Sequence, residues 1–363
     1  VRTGPRLGRT AIATIVIAGV LAVGVLVWQW QRSTAAADAT TRAAAQTDAA
    51  RQARQRDVDD LVRVADAQRE RGQLPDALTT LERAVSSDAD TSRAKTLQED
   101  VAMQWIRDLT VESGQRFADA MKPALAVLDG AAPFATGPRQ GDLLAHLGWA
   151  TYLRWRDGER PLDPTDTYRK ALAVDPANPY ASAMLGHWIV SHEDRSDDLE
   201  QARRLFRTAI DAGRATNVVR GLQLSALRNV GSVDNRLETI RVIDEMRRRD
   251  ERLQPRDVSD AWSIYYFALS DNGALTSSAL LAVLPPTEHL LTLGWAFDEY
   301  SRGVESRLLQ MRYYTARLQA QAGNVTAARD ALQALRAVLA RSPGSLRDAV
   351  DRALQGLPAR PGQ

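Results

Sequence analysis

Five residues recur at a single offset of 38 positions: Leu147 and Leu185, Gly148 and Gly186, Tyr168 and Phe206, Arg169 and Arg207, Ala171 and Ala209. They come from two stretches, LGWATYLRWRDGERPLDPTDTYRKALAVDP and LGHWIVSHEDRSDDLEQARRLFRTAIDAG. A unit of this length holds two helices and a turn. Such units bury their apolar faces by stacking on one another, which predicts an α-solenoid. Each unit sets a glycine inside a buried helical stripe; around Gly148 stand Trp149, Tyr152, Leu153 and Trp155. Glycine inside a helix costs about 0.5–1 kcal/mol relative to alanine, so packing has to offset it. The expectation is that Gly148 and Gly186 on the first helices, and Ala171 and Ala209 on the second, lie where paired backbones come closest.

The rest of the chain lacks alternating strand patterns. Ala, Leu, Arg, Gln and Glu dominate it, as in helices, so the predicted class is all-α. Residues 61–90 carry small side chains at Ala65, Ala77 and Ala84, a turn at Gly72 and a large apolar residue at Leu81. Residues 313–340 carry Ala316, Gly323, Ala328 and Leu332 in the same order, with Leu335 where a further small residue would stand. These patterns resemble the tetratricopeptide (TPR) repeat, a helix–turn–helix unit of roughly 34 residues with small side chains at fixed places. The two central units have a glycine-to-alanine spacing about four residues longer. Their Asp198, Ala202, Phe206, Ala209 and Gly213 look like the related Sel1-like repeat, without that family's paired loop glycines. A degenerate pair is expected over 216–250, around Leu224, Leu237 and Ile240. A second LGWA at 293–296 marks a first helix over 288–302.

The resemblance implies a concave wall of first helices that binds proteins. Its candidate residues are Trp149 and Tyr152 in one unit, Tyr180 and His187 in the next, and Tyr313 and Arg317 near the C-terminus. Aromatic and arginine side chains are the usual anchors of such contacts, although rings at helical spacing equally suit a core between helices. On the matching face of the first repeat stand Val62, Asp66 and Arg69. The Lys/Asn arrangement that clamps a C-terminal carboxylate is missing there.

Residues 11–30, AIATIVIAGVLAVGVLVWQW, contain no charge. About twenty residues at 1.5 Å rise cross a ~30 Å hydrocarbon core. Arg2, Arg6 and Arg9 precede the segment, and Trp28 and Trp30 stand at its far end as an interfacial belt would place them. The expectation is an uncleaved single-pass anchor in a bacterial inner membrane, with the N-terminus inside and the bulk exported. The expected organisation is a tail over 1–10, a transmembrane helix over 11–30 and a stalk over 31–57. An N-terminal TPR-like repeat and following helices occupy 58–129, with a loop over 130–141. Central repeats over 142–250, C-terminal helical repeats over 251–357 and a tail over 358–363 complete it. Asn178–Pro179 and Asp163–Pro164 read as helix caps followed by a first-turn proline.

Chemistry is hard to find. The chain has no cysteine, which excludes disulfides, thiol nucleophiles and zinc ribbons. Lys+Arg and Asp+Glu are 47 and 45, so nothing suggests a nucleic-acid surface. Only three residues are lysine, at 95, 122 and 170; the arginine excess reads as the coding of a GC-rich bacterium. Four histidines, at 146, 187, 192 and 289, have no metal-ligand spacing. Ser92–Lys95 and Ser270–Asn272 mimic two motifs of serine penicillin-recognising enzymes, but the third is absent and both fall in helical territory. The expectation is therefore no enzyme, no cofactor, no metal and no nucleic-acid partner. The resemblance to the repeat family implies instead a scaffold, adaptor or assembly factor that binds proteins or peptides, and the apolar first helix is expected to bind the bilayer. Two alternatives stay open: an envelope enzyme sited in 95–141 or 251–305, and a homo-oligomer.

Overall fold

A computed structural model describes residues 9–87, 90–192, 196–229, 233–270, 281, 304–341 and 344–358. Side-chain placement is described for these except at 9–20, 22, 33, 35–40, 196–198, 229, 233, 262, 264–270, 304, 305 and 307. The described residues are all-α: fifteen α-helices and one 3-10 turn, without a strand. They form two units, residues 1–110 with 121–128, and residues 111–120 with 129–363.

In the first unit, α1 (Arg9–Glu70) runs unbroken for 62 residues, roughly 93 Å at 1.5 Å per residue. The expected span and stalk are thus parts of one rod. Between Gly24 and Gly72 the sequence has neither glycine nor proline, and residues 35–53 are rich in alanine, the strongest helix former. Burial begins only at Val58, Val62 and Ala65, one face of the helix at spacings of four and three. That face packs on α2 (Leu74–Val85), reached through Gly72 at φ +75. From α2, Leu74, Ala77, Leu78, Leu81 and Ala84 are buried, and α3 (Ser92–Asp108) packs on both helices with Ala94, Val101, Ala102 and Ile106. Met121, Ala124 and Leu128 are fully buried as well. At the other end of α1, Leu21, Val23, Val25, Leu26, Val27, Trp28 and Trp30 are all exposed, by 48 to 67%. Among the described residues, no helix is long and apolar enough to cross a membrane.

The second unit opens with α4 (Phe117–Ala120) and the end of α5 (Lys122–Ala131). There follow α6 (Gly137–Arg156), α7 (Thr165–Val174), α8 (Pro179–His192), α9 (Ser196–Asp211), α10 (Thr216–Asn229), α11 (Val233–Arg248) and α12 (Pro255–Ser270). Each odd-numbered helix from α7 to α11 packs on its predecessor, while α6 packs on α8 and α8 on α10. Past residues 271–280 and 282–303 come α13 (Val304–Gln321), α14 (Val325–Val338) and α15 (Ser345–Gln355). Here Ala316, Leu332, Leu335, Leu339 and Val350 form a core of their own, with Gly323 at φ +86 in the α13–α14 turn. The second LGWA, the first helix expected over 288–302, His289 and two residues of Ser270–Asn272 lie outside the described residues.

Several local expectations shift. The loop expected over 130–141 is open chain only over 132–136, because Gly137 and Pro138 enter the first turn of α6. Asn178 caps α8 as expected, its Oδ1 accepting the Ala181 N–H at 2.9 Å. Asp163 sits one place further out: Pro164 is the N-cap of α7, and Asp163 accepts from the Thr165 N–H at 2.8 Å.

The glycines play a different part from the one their spacing suggests. A Cβ on Gly148 would lie 2.5 Å from Cε1 and 2.7 Å from Cδ1 of Tyr168; on Gly186 it would lie 3.1 Å from Cε2 of Phe206. Each glycine therefore receives the flat aromatic ring of its partner helix, instead of meeting the alanine backbone of that helix. Ala171 and Ala209 are fully buried on the second helices. The approach nearest to backbone is at Gly141, two turns before Gly148: its Cβ would meet the side-chain atoms Asn178 Nδ2 at 2.9 Å and Asp175 Cβ at 3.0 Å, with the Ala171 carbonyl oxygen in ordinary contact at 3.5 Å.

Candidate functional site

The glycine–ring interlock fixes the rotation of α6 and α8 about their axes. That rotation brings Trp149 and His187, which are themselves 38 positions apart, into edge-to-face contact at 5.1 Å between ring centroids. Tyr152 joins them at 4.6 Å from Trp149 and 5.2 Å from His187. All three are buried, with 7, 6 and 2% of their surfaces exposed. These rings form the wall between neighbouring first helices.

What reaches solvent is the continuation of the cluster toward the C-terminal ends of both helices. Trp155, Trp188 and His192 are each half-buried. The His192 ring stacks on Trp188 at 3.5 Å and meets Trp155 edge-on at 4.1 Å, and the Arg160 guanidinium lies 3.8 Å over Trp155. The signal for these rings was in the sequence: 149, 152 and 155 form an i, i+3 stripe on α6, and 188 and 192 an i, i+4 stripe on α8.

The other candidates lie apart. Tyr180, at the start of α8, is half-buried beside His146 at 4.7 Å, with Arg214 over it at 5.9 Å. There Asp142, Asp175, Asn178 and Arg214 form a polar knot. Asn178 Nδ2 donates to Asp142 at 2.7 Å, and Arg214 donates to Asp142 at 2.8 Å and to Asp175 at 3.1 Å. Tyr313, half-buried, and Arg317, exposed, belong to α13, where the guanidinium lies 5.8 Å over the ring.

Burial sets the electrostatics of the cluster. Removal from water pushes the His187 imidazolium down to about 3, helped by repulsion from His192 and Arg156, so His187 is neutral at ordinary pH. Burial raises the Tyr168 hydroxyl well above its usual range and, more mildly, that of Tyr152, while it lowers His192. Several buried polar atoms lack a hydrogen-bond partner: Trp149 Nε1, Tyr168 OH, Ser182 Oγ and His187 Nδ1. Among the described residues no three His, Asp or Glu side chains gather to hold a metal ion. What the arrangement offers is contact: flat rings and a stacked arginine. No protein-family model matches the chain, and no curated protein does.

Proposed function

We propose that this chain is a membrane-anchored, TPR-like α-solenoid that binds other proteins as a non-catalytic scaffold, adaptor or assembly factor. The observation that carries the reading is the repeated interlock. Two consecutive helix pairs seat an aromatic ring against a glycine at the same register, and their first helices pack in succession. Stacked pairs of this kind present a continuous face of first helices, and a partner polypeptide would bind along it. The half-buried rings of Trp155, Trp188 and His192 support a contact there, since aromatic side chains dominate the energetics of protein interfaces. The seven exposed apolar residues between Leu21 and Trp30 support the anchor. No part of the described chain covers them, and they continue the uncharged run that begins at residue 11. The exported orientation rests on Arg2, Arg6 and Arg9 ahead of that run.

Photo-crosslinking in native membranes tests the reading. A crosslinking amino acid at Trp188 is expected to capture a discrete polypeptide, whereas one at the exposed Arg169 on α7 captures none. Equal capture from both positions refutes the groove. Extraction of the full chain by alkaline carbonate refutes the anchor.

A further inference from the structure

The second helices α9 and α11 flank α10, and between them lies a cleft of ≈ 390 Å³. Five guanidiniums and three carboxylates line it, whereas over the whole chain basic and acidic residues nearly balance at 47 and 45. Its floor is neutralised: Arg220 is 2% exposed and donates to Glu245 at 3.0 Å and to Glu251 at 2.7 Å. Its walls are less completely so. Arg203 bonds Glu238 at 2.7 Å through Nη2 and Glu200 at 3.3 Å through Nη1, while its buried Nε has no acceptor. One turn along the same face, the exposed Arg207 has neither a hydrogen-bond nor an ion-pair partner among the described residues. Across the cleft, Arg248 holds the buried Asp244 at 3.0 Å and Arg249 holds the half-buried Glu245 at 3.1 Å, each through an i,i+4 pair of its own helical segment. Both guanidiniums are themselves exposed, at 62 and 48%, so a second carboxylate can reach them from solvent.

We infer that this cleft binds an acidic peptide segment of a partner protein, whose carboxylates bridge Arg203 and Arg207 on one wall and Arg248 and Arg249 on the other. Charge complementarity selects the acid, and its distribution selects a peptide. The available donors stand on opposite walls, so a chain carrying successive carboxylates meets them in turn. A compact polyphosphate would have to settle between them, against Glu238 and Glu245. The inference goes beyond the groove reading and does not rest on it, because none of these residues is on α6 or α8.

The test is fluorescence anisotropy of labelled hexaglutamate with the full chain in detergent micelles. Arg169 is the control built into the repeat: it occupies the place equivalent to Arg207, is exposed, and lies on α7 away from the cleft. Hexaglutamate is expected to bind, with Arg207→Glu weakening it about tenfold or more and Arg169→Glu changing it less than about twofold. Raising the salt weakens it further. Both variants should keep the wild-type circular dichroism, since both sites are exposed. Three results would overturn the inference: no binding, equal loss in the two variants, or displacement by tripolyphosphate at or below the hexaglutamate concentration. Loss of the crosslinks from Trp188 would leave it standing.

Discussion

Replacing Gly148 and Gly186 by alanine, one at a time, isolates the interlock from every other effect of the substitution. Both glycines lie inside helices, so each change gains the same helix propensity, about 1 kcal/mol. The new methyls meet different surroundings. At Gly148 the Cβ would sit 2.5 Å from a ring carbon of Tyr168, about an ångström inside ordinary contact; at Gly186 the nearest carbon of Phe206 is at 3.1 Å, and a shift of a few tenths suffices. Overpacking of the first kind costs about 1–3 kcal/mol. Gly148→Ala is therefore expected to be destabilising by up to about 2 kcal/mol, and Gly186→Ala to be neutral or stabilising by up to about 1 kcal/mol. The propensity term cancels in the difference. Urea unfolding followed by tryptophan fluorescence reads it, because Trp149, Trp155 and Trp188 all report on α6 and α8. Gly148→Ala combined with Tyr168→Leu should recover part of the loss. If Gly148→Ala is as benign as Gly186→Ala, the ring does not lie against the glycine and the explanation of the repeat fails.

Tyr168→Phe removes a buried hydroxyl without a partner and makes the unit resemble its neighbour, where Phe206 stands; thermal unfolding is expected to show a gain of about 1 kcal/mol. His187 is held near 3 when folded against 6.5 when unfolded, so the unfolded chain takes up the proton first on acidification. Its stabilising contribution is complete above the unfolded value and is lost as pH falls toward 3, by about 2 kcal/mol between about pH 7 and pH 5. Urea midpoints of His187→Leu should lack that part of the pH dependence; an unchanged slope would show that His187 is not buried. Arg220→Met strands Glu251, which is 12% exposed, and is expected to cost about 3–5 kcal/mol in chemical unfolding. A loss under about 1 kcal/mol would mean that this carboxylate reaches water.

The all-α class was legible because helix formers, spaced small residues and Gly72- and Gly323-type turns act locally, and each shows in a window of a few residues. The recurrence at one offset located the helix pairs α6–α7 and α8–α9 correctly. It did not reveal what the glycines face. Their contact with Tyr168 and Phe206 depends on the rotation of one helix against another, and Gly141 takes the close approach for the same reason. The repeat's pattern places Trp149, Tyr152 and His187 on the first-helix face, but it does not separate the part of that face open to solvent from the part turned toward the next helix. Hence the exposed edge of the cluster fell at Trp155, Trp188 and His192. The arginine cleft leaves no sequence signal, because its residues come from three helices and an arginine's charge in sequence says nothing about which carboxylate already holds it.

One unbroken helix from Arg9 to Glu70 couples reach to azimuth. Some 28 residues separate Trp30 from Val58, where burial begins, so the first repeat starts about 40 Å along the rod from the apolar end. Every residue inserted in that interval pushes the repeat outward by about 1.5 Å and swings it by about 100°. Spacing can therefore be changed without turning the repeat away from whatever it faces only in steps near whole numbers of turns: about seven residues for two turns or about eleven for three, each within about 20°, and about eighteen for five.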